Sequence, residues 1–255
     1  ITYLYEHAYM TYNFLGFRYI PDYNSFSEGD KSFSFNSENT YGVNSHAEGA
    51  ETYSLGQYTH AEGYKTVAYA KYGHAEGNNT VVVGIGNHAE GNLTYVDGEY
   101  SHAEGVNNMS YDSYTHIEGH SNISYARTTH IEGYSNIAYS GYISHIEGFE
   151  NNTYSSYAHT EGRANITYGN VSHVEGKENI NFGHITHVEG HANVAIRDYA
   201  HVEGHHSYAY SDTGHNEGWY TYTGVATDEI EKMSTNELPF KFPTIWKFFF
   251  TKIKL

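Results

Sequence analysis

The 255-residue chain has no cysteine, only 3 prolines, and 13 Lys and Arg against 30 Asp and Glu. Without cysteine, disulfides, thiolate metal sites and cysteine nucleophiles are excluded. The formal charge of −17 with neutral His disfavours nucleic acid and anionic membrane surfaces as partners. No apolar run is long enough to span a bilayer, and no signal peptide is visible. The sequence begins at Ile1 rather than Met, so any export signal is expected upstream. What the chain does have is 26 Gly and 28 Tyr, not the composition of an ordinary globular domain. Tyr spread this evenly points to β structure.

One tetrapeptide, His-x-Glu-Gly, explains much of that bias. It pairs His46 with Glu48, His60 with Glu62, His74 with Glu76, His88 with Glu90, His102 with Glu104, His116 with Glu118 and His130 with Glu132. It continues through His145 and Glu147, His159 and Glu161, His173 and Glu175, His187 and Glu189, His201 and Glu203, and His215 and Glu217. The thirteen copies are 14 residues apart, except for one step of 15 after His130. A fixed period marks stacked units, each burying its apolar side against its neighbours. A catalytic set is needed once, so thirteen copies argue for scaffolding rather than for an enzyme.

Each unit is numbered here from its His as position 1. Small or apolar residues fall at positions 14, 2, 7, 9 and 11, alternating within each half and broken near the position-4 Gly and near position 11. That pattern predicts an all-β parallel β-solenoid with two short strands and two turns per coil. Stacking at about 4.8 Å gives a rod of roughly 60 Å. Position 7 carries Asn108, Asn122, Asn136, Asn151, Asn165, Asn179 and Asn193. These are expected to point inward, each amide bonding to the amide one coil away.

The His and Glu columns have an electrostatic logic. Glu charges about 4.8 Å apart repel by roughly 3.5 kcal/mol at an effective dielectric of 20, before screening. A neighbouring His column that donates to the carboxylates offsets this, which predicts imidazole pKa values above about 6.5 and a stability maximum near pH 5 to 6. Protonating the thirteen repeat histidines would take the charge from −17 to −4. The structural ladder is the main reading of these residues. The alternative is a zinc set of two His and one carboxylate drawn from adjacent coils.

The unit at residues 59–73, THAEGYKTVAYAKYG, resembles the 14-residue repeats of trimeric autotransporter adhesin heads. It is still more similar to the His-Ala-Glu-Gly repeat regions of phage tail and fibre proteins, and the resemblance covers residues 46–228. It implies a left-handed parallel β-roll, three chains around an axis, a fibre or adhesin role on a cell or virion surface, and no catalysis or cofactor. Such heads place aliphatic residues where this chain has His and Glu. Here an apolar stripe lies instead at positions 8 and 10, as in Ile123/Tyr125, Ile137/Tyr139, Ile166/Tyr168 and Ile180/Phe182. Either the stripe or the Tyr-His-Glu face at positions 13, 1 and 3 is expected to meet a second copy. An ice- or glycan-binding solenoid is the other reading, with Tyr suited to sugars.

Residues 1–45 are expected to hold degenerate coils or a cap. Phe-Ser-Glu-Gly at 26–29 opens one such coil, and His7 with Asn13 marks a weaker one. The repeat region runs from 46 to 228. A short helix is expected at 227–239, and residues 229–255, with the aromatic, Lys-rich stretch from Phe240 to Lys254, would form a cap, a subunit joint, an interfacial anchor or the start of a following segment. Of seven N-glycosylation sequons, Asn78, Asn92 and Asn170 are expected to face outward, while those at Asn108, Asn122, Asn151 and Asn165 are inward.

Overall fold

The computed structural model describes residues 44–224 in full, together with the backbone of three earlier strands, Phe17–Ile20, Ser25–Glu28 and Phe33–Ser34. The chain forms a parallel β-solenoid of 14-residue coils. Each coil has a longer strand at positions 1 to 5, such as His102–Val106, and a shorter one at positions 8 and 9, such as Met109–Ser110. The longer strands form one 15-stranded sheet and the shorter strands a 14-stranded sheet. Pairing is in register with the repeat: His102 lies beside His116, Glu104 beside Glu118 and Gly105 beside Gly119.

The interior is narrow, and sequence volume is balanced across it. Positions 2 and 9 face each other, seven residues apart, as the 2.8 Å contact between the Thr160 and Thr167 hydroxyls shows. Where position 2 is Ala75 or Ala89, position 9 is Val82 or Val96; where position 2 is Ile117 or Ile131, position 9 is Ser124 or Ala138, and all are fully buried. In these coils a large residue on one wall is met by a small one on the other, which keeps packing dense, whereas Ala61 and Ala68 are small on both walls.

The corners are set by backbone conformation. The position-4 Gly has φ near +110°, and a Cβ on Gly133 would lie 2.1 Å from the Gly148 carbonyl oxygen. Positions 6 and 13 are also left-handed, although most are not glycine: Ser135 has φ 54° and Ile143 has φ 56°. The ladder imposes this, because Ser135 N–H still donates to His120 O at 2.9 Å in the preceding coil.

The single 15-residue coil absorbs its extra residue around Ser140 and Gly141, the latter with φ 105°. Register is undisturbed on either side, where His130 pairs with His145 and Ile137 with Asn152. Before the repeats, Ser25–Glu28 pairs parallel with the first full coil, placing Phe26 beside His46, and Phe33–Ser34 pairs with Tyr53–Ser54. Phe17–Ile20 runs antiparallel to Ser25–Glu28 and occupies the otherwise open sheet edge. The expectations for His7, for residues 35–43 and for residues 227–255 lie outside the described residues.

The Asn column is inward and fully buried, but its bonding differs from the expected amide-to-amide chain. Asn136 Nδ2 donates to Glu132 O and to Gly148 O, both at 2.9 Å, while its Oδ1 accepts the Asn151 backbone N–H at 2.9 Å. The corner leaves two carbonyls and one N–H facing inward, and these outcompete the next amide. Thr in the early coils does part of this work, as where Thr80 Oγ1 donates to Glu76 O at 3.0 Å. Replacing Asn136 with Ala strands three buried backbone groups and should cost about 3 kcal/mol, with Thr losing less. Urea or thermal unfolding checks this, and an unchanged midpoint for Asn136→Ala would contradict the bonding scheme.

Candidate functional site

The His and Glu columns share the outward face of the longer-strand sheet. Because positions 1 and 3 are two residues apart on a strand, both side chains point to the same side. Each imidazole Nε2 lies beside the carboxylate of its own coil, from 2.8 Å at His215 and Glu217 to 3.9 Å at His130 and Glu132. Most of these side chains are half-buried. The imidazoles also stack on one another: centroids from His130 to His145, His159 and His173 are 4.9, 4.9 and 4.8 Å apart, with planes within 3° of parallel.

At three of these histidines the titration is the reverse of the one expected. Burial, then the charge of neighbouring imidazoles, holds His88, His102 and His130 below the ordinary histidine pKa, and the facing carboxylates do not overcome it. Protonation would place cations about 4.8 Å apart in a partly desolvated row. Glu118 is held below the usual carboxylate range, chiefly by its hydrogen bond from His116.

Beside the imidazoles runs a ridge formed by position 13. Tyr100, Tyr114, Ile143, Tyr157, Val171, Ile185 and Tyr199 are all about half exposed. Between ridge and imidazoles lies an open groove of about 990 Å³ that runs from His116 to His201, floored by small position-14 residues such as Ser144, Ala158 and Ser172. Seven coils contribute, giving a length of roughly 30 Å. The ridge was legible in sequence only as part of a broad Tyr-His-Glu face.

The other apolar stripe is different in kind. On the shorter-strand sheet, Tyr111, Tyr125, Tyr139, Tyr154, Tyr168 and Phe182 stack face to face at 4.2 to 6.4 Å. Burial and neighbouring phenols push the Tyr154 pKa upward. The rings present their edges outward, because their faces are occupied by each other.

For metals, the His-x-Glu columns contribute one trio among the described residues, His201, His215 and Glu217, whose ligand atoms lie within 4.8 Å of one another. A second trio, His191, His205 and His206, lies off the ladder at positions 5 and 6. Asn78, Asn92 and Asn170 are exposed, whereas Asn108, Asn122, Asn151 and Asn165 are fully buried.

Two outcomes are expected. The lowered His and Glu pKa values both make stability present at neutral pH and lost on acidification. The His contribution falls as pH drops from about 6.5 through the folded values, and the Glu118 contribution below about 4.5. Thermal melts in chelator should therefore rise from about pH 5.5 to about pH 7 and then level off, and a maximum at pH 5 to 6 would restore the charged ladder. In a eukaryotic secretory host, mass spectrometry should find glycans at Asn78, Asn92 and Asn170 only; sugar on Asn122 or Asn165 would invert the assigned faces.

The sequence matches no protein-family model and no curated protein.

Proposed function

We propose that the chain is a non-enzymatic structural subunit, a rigid β-solenoid rod that associates side by side with further copies of itself in a fibre or adhesin on a cell or virion surface. The observation that carries this reading is the chemistry of the position-13 ridge. Positions 6 and 13 are equivalent left-handed corners on opposite sides of the coil. Position 6 holds no β-branched residue, whereas position 13 holds Thr128, Ile143, Val171, Ile185 and Thr213, all with φ near +56°.

A β-branched side chain in this conformation costs on the order of 1 to 2 kcal/mol, more than Asn or Gly would. Local folding therefore gives no reason for Ile143, Val171 and Ile185, and their side chains are about half exposed. Burial against a second rod supplies the reason: an apolar ridge on one copy fits the groove beside the imidazoles on another. At His130, burial and the neighbouring imidazoles favour the neutral ring, which suits such a contact because a neutral ring carries no charge to be desolvated. The stacked tyrosines of the opposite sheet offer edges rather than free faces, which favours self-association over stacking on sugars. Three chains about an axis is the arrangement that the resemblance to adhesin heads implies.

The ridge reading makes an unusual joint prediction. The triple substitution Ile143→Asn, Val171→Asn and Ile185→Asn should raise the melting temperature of the isolated chain by relieving backbone cost, and should abolish assembly in sedimentation velocity. Replacing Ile137, Ile166 and Ile180 by Asn on the opposite sheet should leave assembly intact. Loss of the oligomer in the second variant and its survival in the first would move the interface to the other face. A wild-type monomer at micromolar concentration would remove the proposal.

A further inference from the structure

The last described coils carry a side-chain cluster that the repeat does not require. At position 5 the chain stacks Lys177, His191, His205 and Trp219, and at position 6 it stacks Glu178, Ala192, His206 and Tyr220. Ala192 is the small member of its column and is 4% exposed. It leaves room beneath it, so that Glu178 and His206, two coils apart, reach the same corner as His191 and His205.

The polar atoms there converge. His191 Nε2 lies 3.3 Å from Glu178 Oε2, and His205 Nδ1 lies 2.8 Å from His206 Nδ1. One ring nitrogen from each of the three histidines lies within 4.8 Å of the others. The left-handed backbone at His206, φ 55°, is what turns two consecutive side chains toward one point instead of to opposite faces of the strand. The rings are held in place by aromatic neighbours. Trp219 stacks on His205 at 4.6 Å and Tyr220 on His206 at 5.1 Å.

We propose that Glu178, His191, His205 and His206 form a single binding site for a divalent transition-metal cation of the zinc class. Three imidazoles and one carboxylate are a tetrahedral donor set that such ions prefer. The three ring nitrogens lie within 4.8 Å of one another, near enough that modest side-chain rotations bring them to zinc–nitrogen bonding distance, about 2.0 to 2.1 Å. His191 Nε2 already lies against Glu178 Oε2, at 3.3 Å. Lys177 engages the other carboxylate oxygen, at 3.3 Å, and orients Glu178 without occupying Oε2. The site bridges three successive coils, so a bound ion would tie that end of the stack together.

Cobalt(II) chloride is the probe, because tetrahedral nitrogen and oxygen ligation gives it an intense visible ligand-field band; zinc chloride should then displace it. The full chain should bind one cobalt ion saturably with that band. His206→Gly, which suits a left-handed corner, and Glu178→Gln should each weaken binding by at least about tenfold. His215→Asn, which disrupts the trio on the ladder, should leave the band unchanged. Far-ultraviolet circular dichroism checks that each variant keeps its β-structure, and the two site variants test the cluster independently. Absence of a tetrahedral band in the wild type, a band undiminished in both site variants, or its loss in His215→Asn alone would overturn the assignment.

Discussion

Each coil of this solenoid closes around an interior too narrow to admit water to its corners, so every backbone carbonyl and N–H turned inward must find a partner in its own coil or the next. The position-7 Asn meets that requirement with one side chain, donating twice and accepting once, as at Asn136 and Asn151. Register follows from it. From Asn108 to Asn193, where Asn is locked to the corner above and below, this bonding holds position 1 on position 1 and position 3 on position 3. The columns of His, Glu and Tyr on the outside are consequences of that internal bonding as much as causes of stability.

The same register creates the electrostatic problem of the outer face. Equivalent positions must lie on one another every coil, so the recurring Glu of the repeat is placed against itself all along the stack. At His88, His102 and His130 the ring is held towards its neutral form, and along the column each Glu lies close to the imidazole of its own coil. Burial and neighbouring rings lower the His pKa, so the His column relieves the Glu column by hydrogen bonding and by spacing, not by countercharge.

The coil length, the two strands, the inward positions and the Asn column were legible because a strict period exposes them. Four features were not. Most of the left-handed corners at positions 6 and 13 carry residues such as Lys65, Tyr114 or Ile143, with Asn or Gly only at Asn44, Asn79, Gly86 and Asn107, so no residue preference announces them; the hydrogen-bonded ladder imposes the conformation. The Asn partners were assigned to neighbouring amides because spacing alone does not reveal which backbone groups face inward. The sign of the His pKa shift was missed because the carboxylate beside each ring is visible in the sequence, whereas ring-on-ring stacking and partial burial are properties of the folded stack. The cluster at His191, His205 and His206 depends on Ala192 being small and on the turn at His206, neither of which departs from the repeat in sequence.

In the proposed assembly, the interface uses what the fold repeats most cheaply: a straight apolar ridge and a parallel groove, each extended by one residue per coil. Cryo-electron microscopy of the purified full chain tests this most directly. Rods laid side by side, with the ridge containing Ile143, Val171 and Ile185 buried against the imidazole groove of a neighbouring copy, are the expected result. Dispersed single rods at micromolar concentration, or assemblies joined through the stacked tyrosine sheet with the ridge in solvent, would contradict it.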